Sequence, residues 1–145
     1  MAAVSAIPDP PAPPIGEPTP FDRATDRFGG LSDGLVLLRP YLLGAVVEEV
    51  TGYADALEAH VAGYDARLER LGSSDGRVAL VRADHERLRE SARQTRWFLG
   101  IVRGEDHGGH RQALGQYGRL VVEAVRRHRR DEAELLGEPV PFGKP

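Results

Sequence analysis

From Val78 to Val102 one set of residues, Val78, Val81, His85, Leu88, Ala92, Thr95, Leu99 and Val102, recurs in unbroken steps of three and four. Only an α-helix brings such positions onto a single face. A seam this long leaves water only when neighbouring helices cover it. Trp97, Phe98 and Ile101 widen it at its far end. Two further stripes share the period. One runs through Leu43, Val46, Val50, Tyr53, Leu57, His60, Tyr64, Leu68 and Leu71. The other runs through Leu114, Tyr117, Val121, Ala124 or Val125, His128, Glu132 and Leu135. Period-2 alternation is absent, and β-branched residues never cluster between hairpin turns, so nothing reads as a sheet. The pattern predicts an all-α fold: an antiparallel bundle of three long helices plus a short N-terminal helix, with a four-helix bundle as its variant.

Turn chemistry places the boundaries. Gly72-Ser-Ser-Asp-Gly76 and the stretch from Gly104 to Gly109 read as turns, and Gly137 with Pro139 behind it stops the last helix. Ser32 reads as the N-cap of a short helix from Asp33 to Leu38, which Pro40 ends or kinks. Thr51-Gly52 could divide the first long helix, but the stripe passes through without a change of phase, which predicts continuity. Residues 1–20 hold seven of the eleven prolines. Proline fixes φ and lacks an amide donor, so this segment reads as an extended, disordered tail, with Phe21 to Gly30 as a linker. The expected division is a tail and linker over 1–30, a helical bundle over 31–138 and a C-terminal tail over 139–145.

Charge and composition narrow the function. A net charge of -3 gives no generic attraction to phosphate backbones or anionic membranes, so neither nucleic acid nor membrane is expected as a partner. No apolar stretch approaches the length of a membrane span, and no basic-then-apolar leader opens the chain, so the expected location is cytoplasmic. With no cysteine, any metal site must use nitrogen and oxygen ligands. There is no Gly-x-Ser-x-Gly elbow, P-loop or dinucleotide fingerprint, so no enzymatic activity is assigned.

His60, His85 and His128 fall on the apolar stripes of the three long helices. Counting from the turns at about 1.5 Å of rise per residue brings all three to one height in the bundle. Glu132 stands one turn after His128 on the same face. A lone histidine on an apolar stripe is ordinarily a hydrogen-bonded core residue. Three in one layer need partners for six ring nitrogens, and a metal ion satisfies several at once. Imidazoles with a carboxylate suit iron, manganese or zinc. The candidate ligands are therefore His60, His85, His128 and Glu132, with Tyr64, Asp84 and Asp131 placed to hydrogen-bond them. His107 and His110 read as part of a polar turn, and Arg126-Arg-His-Arg-Arg130 as a solvated face.

Asp84-His-Glu-Arg-Leu-Arg89, together with His128-Arg-Arg-Asp-Glu132 and the Leu135, Leu136 and Pro139 that follow, resembles the hemerythrin-like, HHE cation-binding proteins. The resemblance covers roughly residues 80–140. It implies a four-helix bundle around a non-haem iron centre that binds oxygen or nitric oxide, or senses iron or redox state. His85, His128 and Glu132 would be ligands and His60 a fourth. The His-x-x-x-Glu motif occurs once, since Tyr64 stands four after His60. A dinuclear or mononuclear iron site, a site completed across a homodimer, and a domain without metal all stay open. The competing reading is a metal-free helical adaptor that docks a protein partner through the bundle and its Pro-rich tail.

Overall fold

The computed structural model describes residues 19–71 and 76–138. The expected tails at 1–18 and 139–145, and most of the first turn, lie outside these. Four helices follow in order: α1 (Pro20–Val36), α2 (Leu43–Leu71), α3 (Gly76–Gly104) and α4 (Gly108–Leu136). They close a ring in which α1 packs on α2 and α4, and α3 packs on the same two neighbours. The described residues contain no strand. None of the helices is long and apolar enough to cross a membrane.

The three long helices follow the stripes. The eight buried residues of α3 are the eight of its seam. Helix α2 runs through Gly52 without a break. Helix α4 ends at Gly137, whose φ of 68° reverses the chain. It also buries a second row, Gly115, Gly118, Val122, Arg129 and Ala133, because it packs on α1 as well as on α3.

The N-terminal region departs from expectation. Phe21 to Gly30 is not a linker but the body of α1, and Ser32 is not an N-cap but a buried residue inside that helix. The true cap is Thr19. Its side chain accepts from the Asp22 amide at 3.1 Å, and Asp22 returns a bond to the Thr19 amide at 3.0 Å. With Pro20 at the first helical position this is a reciprocal capping box. Gly29 and Gly30 lower the intrinsic propensity of α1, but burial of Phe28 and Leu35 outweighs that.

Gly115 lets α1 and α4 approach closely. A Cβ there would lie 2.6 Å from the Ser32 carbonyl oxygen and 2.9 Å from the Val36 amide nitrogen, atoms that cannot rotate away. Gly52, also inside a helix, is exposed and has nothing within 4 Å of such a Cβ. Gly115→Ala should therefore destabilise by about 1–3 kcal/mol through overpacking. Gly52→Ala should stabilise by roughly 0.5–1 kcal/mol through helix propensity. Thermal unfolding of the two variants should shift in opposite directions; a shared sign would overturn this account of the α1–α4 crossing.

The core has two parts. The larger joins Phe28, Val50, Leu57, Val61, Leu88, Leu99, Leu114 and Val125 with their neighbours. The smaller consists of Leu68, Val78 and Val81, with Leu135 against it. Along α2, α3 and α4 a polar layer interrupts the core between them, and the histidines lie there.

Candidate metal centre

Glu132 is the hub of that layer. It is wholly buried on α4, and both its oxygens are occupied. His60, from α2, donates Nε2–H to Oε1 at 2.9 Å. His85, from α3, donates Nε2–H to Oε2 at 2.7 Å. His128, one turn before Glu132, holds Nε2 at 2.9 Å from Oε2, but out of line, so this buried nitrogen makes no hydrogen bond. The rings of His85 and His128 meet edge to face with centroids 4.9 Å apart. Donor atoms of His60, His128 and Glu132 lie within 4.8 Å of one another. All four residues placed in one layer by sequence meet at the Glu132 carboxylate, but His85 joins it through its bond to Oε2 and is not part of that close group.

The far sides of two imidazoles are held by carboxylates. Asp65 faces His85 Nδ1 at 2.5 Å, and Asp84 faces His128 Nδ1 at 3.3 Å. Each aspartate is in turn gripped by an arginine, Asp65 by Arg89 and Asp84 by Arg87. Such backing fixes ring orientation and makes the opposite nitrogen more basic. His60 is oriented by stacking instead. Phe21 lies against its ring at 4.2 Å between centroids and Tyr64 at 4.4 Å.

Protonation follows from these partners. Burial alone would raise the Glu132 carboxyl, but the imidazoles of His128, His60 and His85 outweigh it and hold the group far below the usual carboxylate range. Burial pushes His60 down and wins over its bond to Glu132, so His60 is a neutral ring near neutral pH. Burial also opposes charge on His85, yet the hydrogen bonds to Glu132 and Asp65 prevail and hold it up. With a carboxylate oxygen on each ring nitrogen, both nitrogens of His85 must donate, which makes it an imidazolium.

Arg129 completes the layer. It is 3% exposed, and it bonds Asp22 twice, from Nε at 3.0 Å and from Nη2 at 3.3 Å. Its Nη1 donates to Glu132 Oε1 at 3.1 Å and to the Tyr64 hydroxyl at 3.5 Å. Arg129 is thus no part of a solvated face. A buried guanidinium stays charged, and here two carboxylates share the charge.

Tyr64 packs on His60 and donates to Glu138 at 2.9 Å, so its oxygen meets the layer only by accepting from Arg129. Asp84 stands behind His128 as expected. Asp131 is exposed and is not brought to the histidines. Sequence reasoning missed Asp22, Asp65 and Arg129. For Asp22 a signal existed in Thr19-Pro-Phe-Asp22, a capping box that marks a helix start. For Arg129 it was the i,i+3 spacing to Glu132. For Asp65, which meets His85 only through the register of α2 against α3, the sequence carries no local signal. Comparison with family models, with curated proteins and with solved structures finds no match to this chain.

Proposed function

We propose that this chain is a hemerythrin-like, non-haem metal-binding bundle that holds one iron ion on His60, His85, His128 and Glu132, and binds or senses a small diatomic ligand or a divalent cation. One observation carries the reading. Three imidazole Nε2 atoms from three helices surround one buried carboxylate; those of His60 and His85 bond it, and that of His128 lies 2.9 Å from Oε2 without a hydrogen-bond partner. A buried nitrogen left this way is costly in a protein without metal and useful as a lone pair in one with it.

The donor set fits the ion. Imidazole with a single carboxylate suits iron(II), and zinc(II) and manganese(II) share the preference. The fit is to one ion, because Asp65 and Asp84 stand on the Nδ1 sides of their histidines, where they orient rings and do not bridge. Bound there, iron would supply reversible binding of a diatomic ligand or a response to its own availability. The residues of this chain provide the rest: His85 and His128 held in orientation by aspartates, His60 clamped between two aromatic rings, and a dry wall of Leu57, Val61 and Leu88 nearby.

A second reading has its own support. Glu132 already accepts from His60, His85 and Arg129, a network that nearly closes without metal and suits the helical adaptor. Metal analysis separates the two. Protein purified without a polyhistidine tag should carry close to one equivalent of a transition metal, and His85→Ala or His128→Ala should remove it. Metal-free wild-type protein that takes up neither iron(II) nor zinc(II) would leave the adaptor standing.

A further inference from the structure

Resting on the metal-binding reading, we propose that Arg129, anchored by Asp22, is a positioning residue that restricts Glu132 to giving a bound ion one oxygen, Oε2. The two oxygens of Glu132 are unlike. Oε1 receives the Arg129 guanidinium at 3.1 Å together with His60, whereas Oε2 faces His85 and the partnerless Nε2 of His128. The guanidinium cannot release its proton, so its hold on Oε1 persists whatever enters the layer. Nor can it swing away. Asp22 grips it through two nitrogens, Asp22 is itself fixed by the capping box at Thr19, and Tyr64 lies under the guanidinium, 5.4 Å from carbon to ring centroid. Asp22, Arg129 and Glu132 are buried and Tyr64 is half-buried.

A carboxylate with one oxygen committed to a fixed cation binds metal through the other. A carboxylate freed from that cation can turn and chelate through both. Arg129 therefore sets the number of bonds an ion receives from Glu132. It also sets a charge, because a cation this close to a ligand works against an incoming ion in proportion to that ion's charge. Helix α1 thereby enters the chemistry of the layer without contributing a ligand.

Cobalt(II) is the probe, because its visible absorption loses intensity as the number of ligands rises. Affinity by itself does not discriminate: losing the guanidinium attracts cations, while losing the clamp loosens Glu132. The variant to read is Asp22→Asn with Arg129→Met, which leaves no unpaired buried charge and so keeps the fold. Wild-type protein should give a cobalt(II) band that Arg129→Lys preserves. In the double variant the band should weaken and shift. A double variant that is folded by circular dichroism, loads cobalt(II) fully and shows the wild-type band would overturn the positioning role and leave the metal site intact. Wild-type protein that takes no cobalt(II) would overturn the metal site itself, and this role with it. A double variant that fails to fold would be replaced by Asp22→Asn with Arg129→Leu, in which a weakened band supports the clamp and an unchanged band refutes it.

Discussion

Arg129→Met should lower the free energy of unfolding by about 3–5 kcal/mol at neutral pH, the usual effect of removing one partner from a buried ion pair. The change strands Asp22, which is 0% exposed and loses both of its guanidinium bonds. Asp22 can escape by taking a proton, which limits the part of the penalty due to its stranded charge to about 4 kcal/mol at pH 7, from the distance between that pH and an ordinary aspartate pKa. Removing both charges, as Asp22→Asn with Arg129→Met, should recover most of the loss. The sign of the pH dependence follows. In the wild-type protein burial opposes the Asp22 charge, but the bond to Arg129 and the Thr19 amide outweigh it and hold the carboxyl below its ordinary value. Its contribution is therefore complete above the ordinary range and is lost as pH falls through the folded value. The penalty of Arg129→Met should accordingly shrink in acid, since protonation removes the charge that the variant cannot pair. Urea titrations at neutral pH and near pH 4 measure both effects. A penalty below about 1 kcal/mol at neutral pH, the size expected of a solvated pair, would show that water reaches Asp22.

Which parts of this molecule could be read from sequence depends on how local the cause is. The seam of α3 was legible in full because burial on one face imposes a period, and every member from Val78 to Val102 obeys it. The layer of His60, His85, His128 and Glu132 was legible because rise per residue is constant and the turns fix the origin of the count. Helix α1 was misread because two glycines and the proline-rich stretch before it obscured a start signal present in Thr19 and Asp22. The second buried row of α4 was invisible for the same reason, since Gly115 and Gly118 face α1, which was expected only as a short helix from Asp33. Arg129 shows a different limit. Within a run of four arginines only Arg129 is buried, although Arg126 also reaches α1 through Asp26, and Arg127 and Arg130 differ from Arg129 in angle around the helix, not in chemistry. Asp65 lies further out still, because its pairing with His85 depends on tertiary register alone.

Metal occupancy should fall with acid through the histidine range, and Glu132→Gln should weaken binding by on the order of 100-fold or more, beyond the 10- to 100-fold typical of residues that only support ligands. Neutral imidazole is the form that ligates, so protons and metal compete for the same lone pair. The competition is unequal across the layer. Burial keeps His60 neutral, whereas Glu132 and Asp65 keep a proton on each nitrogen of His85. An ion entering the layer must displace the Nε2 proton of His85, so uptake near neutral pH should release about one proton. Affinity should then rise by about tenfold per pH unit until His85 is neutral in the free protein, and level off above that point. Calorimetry in buffers of different ionisation enthalpy counts the proton directly. In Glu132→Gln the layer loses its only carboxylate ligand while the Arg129 charge remains beside it, which adds repulsion to the lost bond. The same change leaves the His85 Nε2–H facing an amide, so the variant should hold its proton less firmly and release less on binding. An affinity that stays flat between about pH 6 and 8, with no proton released, would mean that the ion is held elsewhere and that His85 belongs to the core.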